Sequence, residues 1–67
     1  MRMTKTKPAV EKRRMYSLSE ACRLLQVGRT TMWRARKAGV VTFVETEDGL
    51  RISGSDILAL WEKHNMN

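Results

Sequence analysis

Residues 28–39, Gly-Arg-Thr-Thr-Met-Trp-Arg-Ala-Arg-Lys-Ala-Gly, constrain this chain more than any other stretch. Four cations, Arg29, Arg34, Arg36 and Lys37, crowd into it with no carboxylate between them. The spacing predicts a helix over about 29–38, ended by Gly39, the residue type that most easily takes the left-handed conformation past a helix terminus. Met32 and Ala35 should face a neighbour, while Arg29, Thr30, Trp33, Arg34 and Lys37 fall broadly on the other side. A helix so basic is poorly suited to standing alone in water, so the rest of the chain reads as the frame that aims it.

That frame begins with Ser17-Leu18-Ser19-Glu20, which fits a capping box in which the serine hydroxyl accepts from the third helical amide. Leu18, Ala21, Cys22 and Leu25 follow at i, i+3, i+4 and i+7, one apolar helix face that Leu24 widens. Cys22 on that face reads as a small buried residue. Gln26-Val27-Gly28 is the turn, with Val27 plugging the angle between two helices. Two helices joined by so short a glycine-containing link make a helix-turn-helix.

Residues 40–44 are apolar, β-branched and aromatic, a predicted strand, and Asp48-Gly49 is a strong hairpin signal. Residues 50–52 form the return strand, burying Leu50 and Ile52. Ser53 and Asp56 repeat the capping logic for a third helix with Ile57, Leu60, Trp61 and His64 on its buried face and Leu58 off it. Met15 and Tyr16 form at most a very short strand. The fold class expected is α+β, mainly α: a winged helix-turn-helix with three short helices and a two-stranded β-wing over 15–64. Residues 1–14 read as a flexible basic arm without an apolar face, either a solubilising tail or a DNA-contacting arm, and 65–67 as a tail.

Composition narrows the partners. Thirteen Lys+Arg against seven Asp+Glu give the 67 residues a net charge of +6, which points to a polyanion. Nucleic acid comes before membrane, because no apolar run approaches the roughly 20 residues of a span and no signal-peptide segment opens the chain. One cysteine excludes an internal disulfide and a four-thiolate zinc site, and a reducing cytoplasmic setting, at the nucleoid, is the natural expectation. With one His, one Cys and no convergent carboxylates, nothing suggests an enzyme, a metal or a cofactor. RNA is the weaker nucleic acid, since the four aromatics show no stacking arrangement. A protein-interaction adaptor, its basic helix meeting an acidic protein, is the alternative of another class.

The order of 16–27, 28–40, a hairpin, Arg51-Ile52-Ser53 and 56–64 resembles the small excisionase-like, MerR-type winged helix domains. The resemblance implies a double-stranded DNA-binding domain. Its members include phage excisionases, which bend attachment-site DNA for an integrase, and small transcription regulators. It matches Arg29, Thr30, Thr31, Trp33 and Arg34 to the segment contacting the major groove, and Arg51 to a basic position at the base of the wing. Two departures stand out: Arg36 replaces an aliphatic core residue, and the wing tip, Glu45-Thr46-Glu47-Asp48, is acidic where the family is often basic.

By chemistry, Arg29 and Arg34 suit guanine edges, which offer two acceptors to one guanidinium fork. Arg36 and Lys37 suit phosphates, as do Thr30 and Thr31 near the helix start. Trp33 either packs on sugar or a thymine methyl or is an aromatic at the core edge. Arg23 either touches the flanking backbone or sits on a solvated face. Beyond DNA, the expected partners are an integrase or recombinase and neighbouring copies lying side by side, with the acidic tip as donor surface.

Overall fold

In the computed structural model, which describes residues 3–65, Ser17 both ends a strand and opens a helix. The elements are β1 (Met15–Ser17), α1 (Leu18–Leu25), α2 (Arg29–Lys37), β2 (Val44–Thr46), β3 (Gly49–Ser53) and α3 (Gly54–Asn65). Ser17 Oγ accepts from the Glu20 amide at 3.1 Å, and Ser53 Oγ does the same for Asp56 at 3.1 Å, so both caps form as the sequence predicts. Gln26 takes the left-handed conformation (φ 58°) and turns the chain after α1, letting the Val27 amide return to the Cys22 carbonyl. Gly39 (φ 81°) does this after α2, where the Gly39 and Val40 amides close on Arg36 and Ala35.

The three strands are antiparallel in the order β1-β3-β2. Tyr16 pairs with Ile52, and Arg51 lies between Ser17 on one side and Val44 on the other. Every element except β2 sends a side chain to one core, in which Leu25, Met32, Ile52 and Ile57 are fully buried beside Tyr16, Leu18, Ala21, Ala35, Val41 and Leu60. Each of the large ones contributes about 1.5–3 kcal/mol by leaving water. The architecture is α+β, consistent with a winged helix-turn-helix.

Several expectations are corrected. The sheet has three strands, because β1 adds to the free side of β3. The strand expected over 40–44 shrinks to Val44–Thr46. Upstream, the Val40 amide goes to Ala35 and the Thr42 amide to Asp56 Oδ2 at 3.0 Å, while Val41 turns into the core, so no ladder forms there. Leu50 is only half-buried and His64 is exposed. Trp61 is half-buried with its Nε1 donating to the Thr4 carbonyl at 2.9 Å.

The largest correction concerns residues 3–14, which do carry an apolar face. Met3 and Pro8 are buried and Val10 packs on the core. The Thr4 amide closes the end of α1 on the Leu25 carbonyl, and the Gly54 and Ser55 amides donate to the Arg14 and Lys12 carbonyls. A Cβ at Gly54 would run into the Glu11 carbonyl, so only glycine admits this crossing. Gly54, Leu58 and Trp61 share one face of α3, and the segment is fastened at both ends of it. That is why Leu58, expected to be exposed, is buried. Met1, Arg2 and the last two residues of the expected tail lie outside the described residues.

Candidate nucleic-acid interface

α2 is amphipathic around a narrow core stripe. Met32 and Ala35 point inward, and at about 100° per residue the opposite face is Thr30, Trp33, Arg34 and Lys37, all exposed. This exposed stripe, at i, i+3, i+4 and i+7, runs the length of a helix of nine residues, roughly 13 Å long. No acidic residue lies in its first turn, and three of its cations lie in or next to its last.

One flank of the stripe meets the hairpin. Trp33, 44% exposed, packs edge-on against Phe43, with ring centroids 5.0 Å apart and planes at 80°. The Arg36 guanidinium lies over both rings, 5.5 Å from the Trp33 centroid and 5.9 Å from that of Phe43. Arg36 therefore stays at the surface by stacking on an aromatic pair, which is how the helix accommodates an arginine where an aliphatic residue was the expectation. Trp33 is neither core nor free: its edge is braced and its outer face is open.

At the helix start Arg29 is drawn toward α1, its Nη2 donating to Ser19 Oγ at 2.7 Å. Arg29 and Arg51 line one polar cleft of about 210 Å³ with Ser17, Ser19 and Asp48. The fold thus joins two cations 22 residues apart in sequence into one anion-facing recess, with a single carboxylate at its margin. Arg23 is exposed on α1 and lines neither this cleft nor the one below.

The other flank of α2 borders an apolar groove of about 460 Å³ toward α3, floored by Ala35, Ala38, Val40 and Leu60, with Thr31, Arg34, Lys63 and His64 around it. Thr31 thus turns toward α3 and away from the outer stripe. Cys22 is half-buried beneath Arg29. Burial pushes its thiol above the ordinary value, and the charge of Arg29 opposes that shift.

Of the nine residues singled out by sequence, α2 aligns Thr30, Trp33, Arg34 and Lys37 outward, Arg36 stacks beside them, and Arg29 joins Arg51. Thr31 and Arg23 stand apart. Sequence reasoning missed Ser19 as the holder of Arg29 and Phe43 as the brace of Trp33. Ser19 was visible only as part of a capping box, and Phe43 lies ten residues from Trp33 with no periodic signal to link them. Among the described residues no group of three His, Cys, Asp or Glu side chains could hold a metal ion, and no helix is long and apolar enough to cross a membrane.

A family profile described as a helix-turn-helix domain matches residues 15–65, three-quarters of the chain and all of the elements above. No curated protein and no solved structure matches.

Proposed function

The chain belongs to the helix-turn-helix domain family, and on that premise we propose that it is a sequence-specific double-stranded DNA-binding protein whose α2 lies in the major groove. The observation that carries this reading is the exposed stripe Thr30, Trp33, Arg34 and Lys37, flanked by Arg36 and by the Arg29–Arg51 cleft. A major groove about 12 Å wide admits one helix with its side chains. Arg34, at the centre of the stripe, reads a base edge, while Arg29, Arg36, Lys37 and Arg51 take phosphates.

Within that role we favour an excisionase, a recombination directionality factor that binds and bends attachment-site DNA cooperatively beside an integrase or recombinase. The order of motifs over 16–64 and the small size of the domain support it. Its place of action is the cytoplasm, at the nucleoid. A small transcription regulator of the same fold needs the same helix in the same groove. Integrase-dependent excision of an attachment-site substrate, with and without this protein, separates the two: stimulation identifies the excisionase, and promoter occupancy without stimulation identifies the regulator.

The DNA reading itself is tested by titrating the protein into a random-sequence duplex at rising salt. Binding that weakens as salt rises is expected. An absence of binding even at low salt would turn the basic helix over to an acidic protein partner, the adaptor reading.

A further inference from the structure

The two flanks of α2 are complementary to each other. On one flank, the hairpin presents an acidic end: Glu45, Glu47 and Asp48 are exposed, and Val44 in the same strand leaves 46% of its surface open. Thr46 holds that end in shape, its Oγ1 donating to the Gly49 carbonyl at 2.7 Å and accepting from the Asp48 amide at 3.3 Å. On the other flank lies the apolar groove between α2 and α3, with Arg34, Lys63 and His64 beside its floor of alanine, valine and leucine and, among the described residues, no carboxylate in its lining.

We propose that this groove receives the acidic hairpin end of a second copy of the chain when copies lie side by side on one duplex. Val44 seats on the apolar floor, and the carboxylates of Glu45, Glu47 and Asp48 meet Lys63 and His64, leaving Arg34 to the DNA. A second copy is the occupant because the same chain carries both halves of the match, on opposite sides of the helix that fixes its direction on DNA. Moving one copy along the groove brings its hairpin to its neighbour's groove. The contact is head to tail and repeats without closing. It also gives the carboxylates a cationic partner where phosphates would repel them. Exposed ion pairs are individually weak, so the contact forms on DNA, where two bound copies face each other at high effective concentration.

The inference rests on the DNA-binding reading for its template, and the test keeps the two apart. Binding is measured on a short duplex that holds one copy and on a longer one that holds several. The wild-type chain is expected to show a coupling of about 5- to 150-fold between neighbours on the longer duplex. Lys63→Glu and Glu47→Lys, both at exposed positions, should each abolish that coupling while changing short-duplex binding far less, with circular dichroism confirming the fold. The double variant Glu47→Lys/Lys63→Glu should recover it, since each interface then pairs a reversed hairpin with a reversed groove. Coupling that survives either single reversal, or that the double variant fails to recover, overturns the proposal. So does normal short-duplex binding by the wild-type chain with no coupling on the longer one. A chain that binds neither duplex defeats the DNA reading and this contact together.

Discussion

At the scale of single residues, the two arginines assigned to base edges from sequence part company. Arg34 stands on the outer stripe of α2, whereas Arg29 is tied to Ser19 and shares a recess with Arg51. A guanidinium has five donors, so one hydrogen bond to Ser19 orients Arg29 without exhausting it. Arg34→Ala should weaken binding to a cognate site by about 1–3 kcal/mol, the worth of a good bidentate base contact, and binding to random duplex much less. Arg29→Ala should cost cognate and random duplexes the same amount, because phosphates carry no sequence. Competition titrations of both variants on both duplexes check this, and equal losses for Arg34→Ala would demote it to a phosphate contact. Cys22 supplies a second check on the local electrostatics. Thiolate is the reactive form, and burial raises the thiol's pKa against the opposing charge of Arg29. Alkylation of Cys22 should therefore be slower than that of a free thiol at the same pH. Arg29→Ala, which removes that opposing charge, should slow it further. Faster labelling in that variant would mean that access, and not ionisation, limits the reaction.

At the scale of elements, residues 3–14 are a strap along α3. Met3 fills the core at one end, and the backbone of 11–14 closes on Gly54 at the other. Met3→Ala should cost about 2 kcal/mol, the low end for a buried methionine because a terminal segment can partly collapse into the space, and lower Tm by roughly 10 °C. Gly54→Ala should also destabilise, since its Cβ would strike the Glu11 carbonyl. Thermal unfolding followed by circular dichroism tests both, and an unchanged Tm for Met3→Ala would restore the picture of a loose arm. The contrast with the parts that were legible is instructive. Ser17 and Ser53 announce their helices because a cap is a local device, read from residues three apart. The stripe of Leu18, Ala21 and Leu25 is legible because burial on one helix face imposes a period. The strap has no such period: its apolar residues at 3, 8 and 10 are isolated, and it is fastened through the carbonyls of Thr4, Lys12 and Arg14, backbone groups that any sequence possesses. The loss of the strand over 40–43 has the same root. Apolar β-branched residues suit a ladder, but the competing acceptors, the Ala35 carbonyl and the Asp56 carboxylate, come from elements the local sequence does not mention.

At the scale of the whole molecule, the site was half legible for a related reason. A run of cations on one helix can be read in a line of sequence, but the union of Arg29 with Arg51, and the bracing of Trp33 by Phe43, exist only after folding. What the fold assembles can be counted in solution. The described residues span 34 × 23 × 18 Å, so one copy covers no more than about one turn of duplex, roughly 34 Å. Arg29, Arg36, Lys37 and Arg51 are the phosphate-facing cations on that side. At about 0.9 per neutralised phosphate, a single copy on a short random duplex should show log K falling with log[salt] at a slope of about −3.6. Lys5, Lys7, Lys12, Arg13 and Arg14 are exposed too, but their backbone lies along the Gly54–Leu58–Trp61 face of α3, whereas α2 borders the side bearing Leu60, Lys63 and His64. They should therefore add little to the slope. Deleting the segment cannot decide this, because the deletion also removes Met3 from the core and lowers the folded fraction at every salt concentration. Replacing Lys5, Lys7, Lys12 and Arg13 by glutamine keeps the strap and removes the charge. The slope should then stay near −3.6, with a small uniform loss of affinity from the weaker long-range field. A wild-type slope several units steeper, reduced to about −3.6 by those four substitutions, would show instead that the strap lies against the phosphates and that this face of α3 is turned toward the duplex.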